Sequence, residues 1–175
     1  IKVESPEGDT SRFIGPGRTH DRRGTFTSLN RGKRGVVLDL ATPAGRDLVL
    51  GLVNRKRAFL VAGGTGSGKT TLLGSLLGEV PEVERLVIVE DSRELNPEHP
   101  HCVRLEARPA NAEGAGAVTL TDLVRQALRM RPDRLVVGEV RGAELVGLLG
   151  ALNTGHEGGC GTVHANSADA VPARL

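Results

Sequence analysis

The chain has no tryptophan and no tyrosine, and only three phenylalanines, one methionine and two cysteines in 175 residues. With so few aromatics, the stacking platforms that grip single-stranded nucleic acid are mostly unavailable. Cys102 and Cys160 stand alone with no C-x-x-C spacing, which favours a reducing cytosol over a disulfide scaffold. No apolar run approaches the roughly 20 residues that a membrane-spanning helix needs. Charge of one sign is lacking too: 23 Lys and Arg against 21 Asp and Glu leave a net charge of +2. So mild a balance does not demand nucleic acid. The basic clusters Arg22-Arg23 and Lys33-Arg34 still leave nucleic acid open as a partner. The opening IKVESPEGD has neither a signal-peptide pattern nor an initiator methionine, so the sequence is expected to be a fragment.

Glycine is what abounds, with 24 residues and no collagen-like period. It implies tight turns and close backbone approaches. Hydrophobic residues at 38% and charged residues at 25% mark a globular chain. The length suits one domain with a real core.

Residues 1–37 show little periodicity and read as an irregular N-terminal flank or the remnant of an N-terminal domain, with short strands at Ser11–Ile14 and Val36–Leu38. Residues 38–57 read as a linker helix, with Thr42 as N-cap, Pro43 at the first helical position and an end near Arg55. From residue 58 to 175 strands and helices alternate. Apolar runs at 58–64, 85–91, 135–139 and 161–165, with a further short one at 103–107, predict strands. Helices are predicted at 69–77 (Leu72, Leu73, Leu76 and Leu77 on the buried side), 119–130 and 144–153. Leu120, Leu123, Val124, Ala127 and Leu128 recur at helical spacing behind a Thr119 or Thr121 cap. In the last helix Leu145, Leu148, Leu149 and Leu152 share a face. This alternation predicts an α/β fold with a mostly parallel sheet covered on both faces.

GGTGSGKT at 63–70 carries the chemistry. It matches G-x-x-x-x-G-K-[ST] and sits between a predicted buried strand and a predicted helix, the context a phosphate-binding loop requires. Gly63, Gly64, Thr65, Gly66, Ser67 and Gly68 would turn backbone N–H groups around phosphate oxygens. The helix start adds partial positive charge. Lys69 can reach the β- and γ-phosphates, the Thr70 hydroxyl can bind Mg²⁺, and Thr71 can touch the α-phosphate. Hydrolysis also needs a group that positions water. LVVGE puts Glu139 at the end of a buried strand, with Gly138 where an aspartate often sits. The plain alternative is a surface glutamate at a strand end. Glu90 and Asp91 end the strand at 85–91, and Glu94 follows; Glu90 could hold Mg²⁺ through water. His99, His101 and Cys102 offer metal-ligating atoms, but no spaced second pair follows, so no structural zinc is expected.

Four ordered segments, GGTGSGKTTLL, VIVEDSREL, RPDRLVVGEVRG and TGHEGGCGTVHANS, resemble the ATPases of type II and type IV secretion systems. HPHCVRLEARPANAEGAG and LVRQALRMRPDRLVVGEVRGAE are most similar to the tight-adherence (Flp pilus) branch and to actinobacterial conjugal-transfer-associated ATPases. The resemblance covers about residues 40–175. It implies a RecA-like P-loop core, with incomplete N- and C-terminal parts, that uses ATP and Mg²⁺. It also implies a homo-hexamer working with inner-membrane platform proteins at the cytoplasmic face of the membrane. Glu90 and Glu94 match acidic catalytic residues, Glu139 the catalytic glutamate, and Arg141 the arginine after it. His164 matches a histidine near the γ-phosphate, His156 a more variable one, and Arg104 and Arg108 match arginines that sense nucleotide in cis or from a neighbouring subunit.

Other P-loop classes fit less well. No NKxD motif reads guanine, and no LSGGQ-like signature marks a transporter ATPase. A small-molecule kinase would leave the acidic and histidine segments without a purpose. A DNA-pumping motor and a non-catalytic nucleotide-binding or assembly module remain as alternatives to a motor that moves pilin or other cargo.

Overall fold

The stretch LVIVE at 86–90 shows no alternation of polar and apolar residues, and the architecture explains why. A computed structural model describes residues 2–4, 6, 35–55, 58–153 and 158–165. In strand β4 (Leu86–Glu90) every residue is buried. Leu86 and Ile88 enter an apolar cluster on one face, and Val87 and Val89 enter another on the opposite face. A strand turns successive side chains to opposite sides. Helices on both faces therefore demand a continuous apolar run.

The five-stranded sheet has the order β3-β7-β6-β4-β5, built from β3 (Phe59–Gly63), β7 (Cys160–His164), β6 (Arg134–Val140), β4 and β5 (Cys102–Glu106). Every neighbouring pair is parallel. Parallel neighbours need crossovers; helices supply those from β3 to β4, β5 to β6 and β6 to β7, and the helix-free segment 91–101 supplies the one from β4 to β5. Helices α1 (Pro43–Val53) and α2 (Lys69–Gly78) serve one face, where Val53, Leu73, Leu76 and Leu77 meet Leu86, Ile88 and Val136. Helices α3 (Leu120–Arg129) and α4 (Glu144–Asn153) serve the other, where Leu123, Val124, Leu145 and Leu148 meet Val87, Val89, Leu135 and Val137. All strands run the same way, so their carboxyl ends line one rim of the sheet, where ligands bind in open α/β folds.

Local signals agree with this layout. Thr42 caps α1 by accepting from the Gly45 N–H, and Pro43 follows it. Of the two candidate caps for α3, Thr119 is the one used. Its hydroxyl accepts from the Asp122 N–H while Asp122 accepts from the Thr119 N–H. This capping box holds the Asp122 carboxyl below its ordinary range.

Two expectations need adjustment. Leu72 is 39% exposed and Leu149 is 54% exposed, because only the stripes Leu73/Leu76/Leu77 and Leu145/Leu148/Ala151 face the sheet. The neighbouring helical positions turn about 100° away. The helix expected within 38–57 is α1, and its Val49, Leu50 and Val53 pack into the α2-side cluster. In the N-terminal flank the strand expected at Val36–Leu38 is present as β2 (Gly35–Val37), and β1 (Lys2–Glu4), which was not expected, pairs with it in parallel. Ser11–Ile14, the two basic clusters and His156 lie outside the described residues.

Candidate active site

β3 ends where the phosphate loop begins. Gly66 (φ 71°) and Gly68 (φ 82°) adopt left-handed backbone that other residues rarely take. Gly68 is also the N-cap of α2, and with no side chain it makes no capping bond there. An uncapped helix start next to such a loop is an anion site without a protein acceptor. The Lys69 ammonium donates to the Gly64 carbonyl at 2.7 Å, so it already lies across the loop.

The acidic side comes from β4. Glu90, at the strand end, is only 4% exposed. Its Oε1 accepts from the Glu94 N–H at 3.0 Å and the Leu95 N–H at 2.8 Å. The carboxylate thus folds the following turn back over the strand end. That turn delivers Glu94, whose Oε2 accepts from the Thr70 hydroxyl at 3.3 Å. The acid that meets the Mg²⁺-candidate hydroxyl is therefore Glu94, while Glu90 spends one oxygen on backbone. Burial of Glu90 also accounts for Gly138, because a Cβ there would stand 2.7 Å from Glu90 Cγ.

At the end of β6 the Arg141 guanidinium donates to Glu139 Oε2 at 2.5 Å, and Asp91 lies 3.9 Å away. The Glu139 carboxylate raises the Arg141 pKa further above its high ordinary range. Two residues not singled out from sequence belong here. Thr162, 2% exposed, donates from its hydroxyl to the Gly138 carbonyl at 2.6 Å. Glu144, buried at the start of α4, accepts from the Arg141 and Gly142 N–H groups and sets the turn that carries Arg141. Their sequence signals are a polar residue inside an apolar strand and an acid in the first turn of a helix.

His164 closes β7 directly opposite Gly63, and the Ala165 N–H donates to the Gly63 carbonyl at 3.2 Å. The strand places this histidine beside the start of the phosphate loop. The glycines ahead of it serve packing; a Cβ at Gly161 would lie 2.4 Å from the Val137 carbonyl oxygen. Cys160 is fully buried, and that burial pushes its thiol up to about 12, so it stays protonated and inert.

These groups share one cleft of about 600 Å³, lined by Thr65, Gly66 and Gly68–Thr71 of the loop. The opposite wall holds Glu90, Asp91, Glu94, Glu139, Arg141, Thr162 and His164. Gly63, Gly64 and Ser67 complete the loop behind its rim. Arg104 and Arg108 are not brought to the cleft of their own chain. Arg104 donates to Asn96 at 2.6 Å from the edge strand β5, and Arg108 donates to the Gly116 carbonyl at 2.9 Å. His99 engages both ring nitrogens, one with the His101 N–H in its own loop and the other with the Pro81 carbonyl ahead of β4.

Uncapped helix donors and a lysine on one side, with a hydroxyl and carboxylates on the other, fit a nucleotide triphosphate carrying Mg²⁺. Fold and site together define a RecA-like P-loop nucleotide-binding core. Residues 37–175 match the profile described as Type II/IV secretion system protein, and the chain belongs to that family. A putative conjugal transfer protein of Mycobacterium tuberculosis is 60% identical over 161 residues, covering 87% of this chain and 46% of that protein. The chain thus spans under half the length of this relative. The VirB11 ATPase of the Brucella suis type IV secretion system, solved with sulphate, matches with a TM-score of 0.59 and 37% identity over 73% of this chain and 37% of its own. The pilus retraction motor PilT, solved with ADP, matches with a TM-score of 0.53 and 31% identity over 68% of this chain and 34% of its own. Residues 1–62 also match a CoA-transferase family III profile, which ends before the phosphate loop and covers under half of the chain. Among the described residues no helix is long and apolar enough to cross a membrane.

Proposed function

We propose that the protein hydrolyses ATP and serves as the motor core of a secretion, pilus-assembly or conjugal-transfer system. The observation that carries this reading is the meeting of Lys69, Thr70, Glu94, Glu139 and His164 in one cleft. Lys69 exchanges the Gly64 carbonyl for phosphate oxygens. Glu139 orients a water for in-line attack on the γ-phosphorus and accepts its proton as the bond to the β–γ bridging oxygen breaks. The guanidinium occupies Glu139 Oε2, the oxygen a water would need to reach. Arg141 must therefore leave Glu139, and the γ-phosphate offers it a stronger anion to meet. Mg²⁺, held through the Thr70 hydroxyl with Glu94 and Glu90 acting through water, would neutralise charge developing on the phosphate oxygens. His164 reports the γ-phosphate to the sheet.

A ring of identical subunits fits Arg104 and Arg108, which lie outside the cleft of their own chain and could serve a neighbour's. Six copies, inner-membrane platform proteins and the cytoplasmic face of the membrane belong to the same reading. A second reading is a non-catalytic nucleotide-binding or assembly module, and the Glu139–Arg141 pair favours it by occupying the base. Phosphate release under conditions that allow assembly separates them. Wild type should release phosphate from ATP with Mg²⁺, and Lys69→Ala should fall to background. Wild type at background despite bound nucleotide supports the second reading.

A further inference from the structure

β6 does not keep one side-chain alternation along its length. Val137 and Val140 both enter the apolar cluster beneath α3 and α4, although they are three positions apart. A regular strand returns to a face every second residue. The pairing with β7 locates the irregularity. Val137 stands opposite Gly161 and Val140 opposite Val163, so Gly138 and Glu139 together face Thr162. Two residues against one is a β-bulge, a device that re-aims side chains beside active sites. Without it, Glu139 would share the direction of Val137 and meet an apolar cluster. With it, Glu139 lines the cleft.

A bulge disrupts the ladder and needs other hydrogen bonds to hold it. Here the Thr162 hydroxyl supplies one, donating to the Gly138 carbonyl at 2.6 Å from a side chain almost wholly removed from water. A hydroxyl has a single proton to donate. While that proton is on Gly138, Thr162 cannot also donate to a phosphate oxygen, which only accepts. On the other side, the Glu90 side chain fills the space over the Gly138 α-carbon.

We propose that Thr162 is a positioning residue for hydrolysis, its hydroxyl stapling the Gly138–Glu139 bulge so that Glu139 is held towards the nucleotide. The proposal rests on the reading in which Glu139 activates water.

The test compares Thr162→Val, which keeps shape and loses the hydroxyl, with Thr162→Ser, which keeps the hydroxyl. Backbone hydrogen exchange is followed by mass spectrometry, and phosphate release is measured in the wild-type and Glu139→Gln backgrounds. For Thr162→Val, exchange at 138–141 should rise about tenfold while exchange at 86–90 is unchanged. Its kcat should fall roughly tenfold to a hundredfold, with KM for ATP within about twofold. Thr162→Ser should restore both, and Thr162→Val should add no loss in the Glu139→Gln background. If Thr162→Val fails to fold, Thr162→Ala takes its place in the same comparison. Unchanged exchange at 138–141 would overturn the staple. So would a serine variant that behaves like valine, or a further loss on top of Glu139→Gln. Equal phosphate release by wild type and Glu139→Gln would instead overturn the role of Glu139, while the exchange result decides the staple by itself.

Discussion

An arginine–glutamate pair lies at each end of β6, and the two pairs serve different ends. At the amino end Arg134 meets Glu84 at 2.7 Å with side chains 0% and 7% exposed, and Arg134 also donates to the Val53 carbonyl. At the carboxyl end Arg141 meets Glu139 at 2.5 Å with side chains 65% and 27% exposed. The first pair ties α1 to the sheet and has no water to replace a lost partner. The second stands at the mouth of a cleft, where water or phosphate can take over either member. The same residue types are thus a fixed anchor at one end and an exchangeable contact at the other, and burial makes the difference.

Making the same change at both ends breaks the comparison most strongly. Arg134→Met should cost about 3–5 kcal/mol by leaving Glu84 without this partner in the interior, lowering the melting temperature by roughly 10 °C. Arg141→Met should cost under about 1 kcal/mol of stability yet reduce phosphate release roughly a hundredfold. Calorimetry and a phosphate assay on both variants read the two effects. Equal stability losses would mean that burial does not separate the pairs.

A smaller effect sharpens the contrast from the strand beside β6. The Cys160 thiol, raised from 9.0 to about 12, stays protonated in the folded chain where the unfolded chain has lost its proton. Stability from this group is therefore full below pH 9 and is lost as pH rises from 9 towards 12. Cys160→Ala should make the alkaline loss of stability shallower in denaturant titrations. An unchanged slope would remove the thiol from the account.

Much of the site was legible because its parts are local. The phosphate loop needs only fixed spacing between a strand and a helix, whereas the choice of Thr119 over Thr121 as cap needed the bonds to Asp122. His164 was legible as the end of a short strand. Other features depend on what lies opposite. Whether Glu90 turns inward or into water cannot be read from VIVED, because a carboxylate at a strand end has the same neighbours either way. Arg134 in RPDRLVV looks like a surface charge until Glu84 and the Val53 carbonyl are placed beside it. The bulge at Gly138–Glu139 exists only in the pairing with β7. Its trace in the sequence, a glycine inside an apolar strand, served first as a gap where an aspartate was expected. The Thr70–Glu94 contact needed the turn that Glu90 folds.

Phosphate release by Glu139→Gln against wild type, at matched nucleotide occupancy and with Mg²⁺, bears on the whole account. The substitution keeps shape and removes the base. A loss of about 10²- to 10⁴-fold in kcat is expected, with nucleotide affinity and melting temperature close to wild type. Wild-type turnover in Glu139→Gln would contradict it.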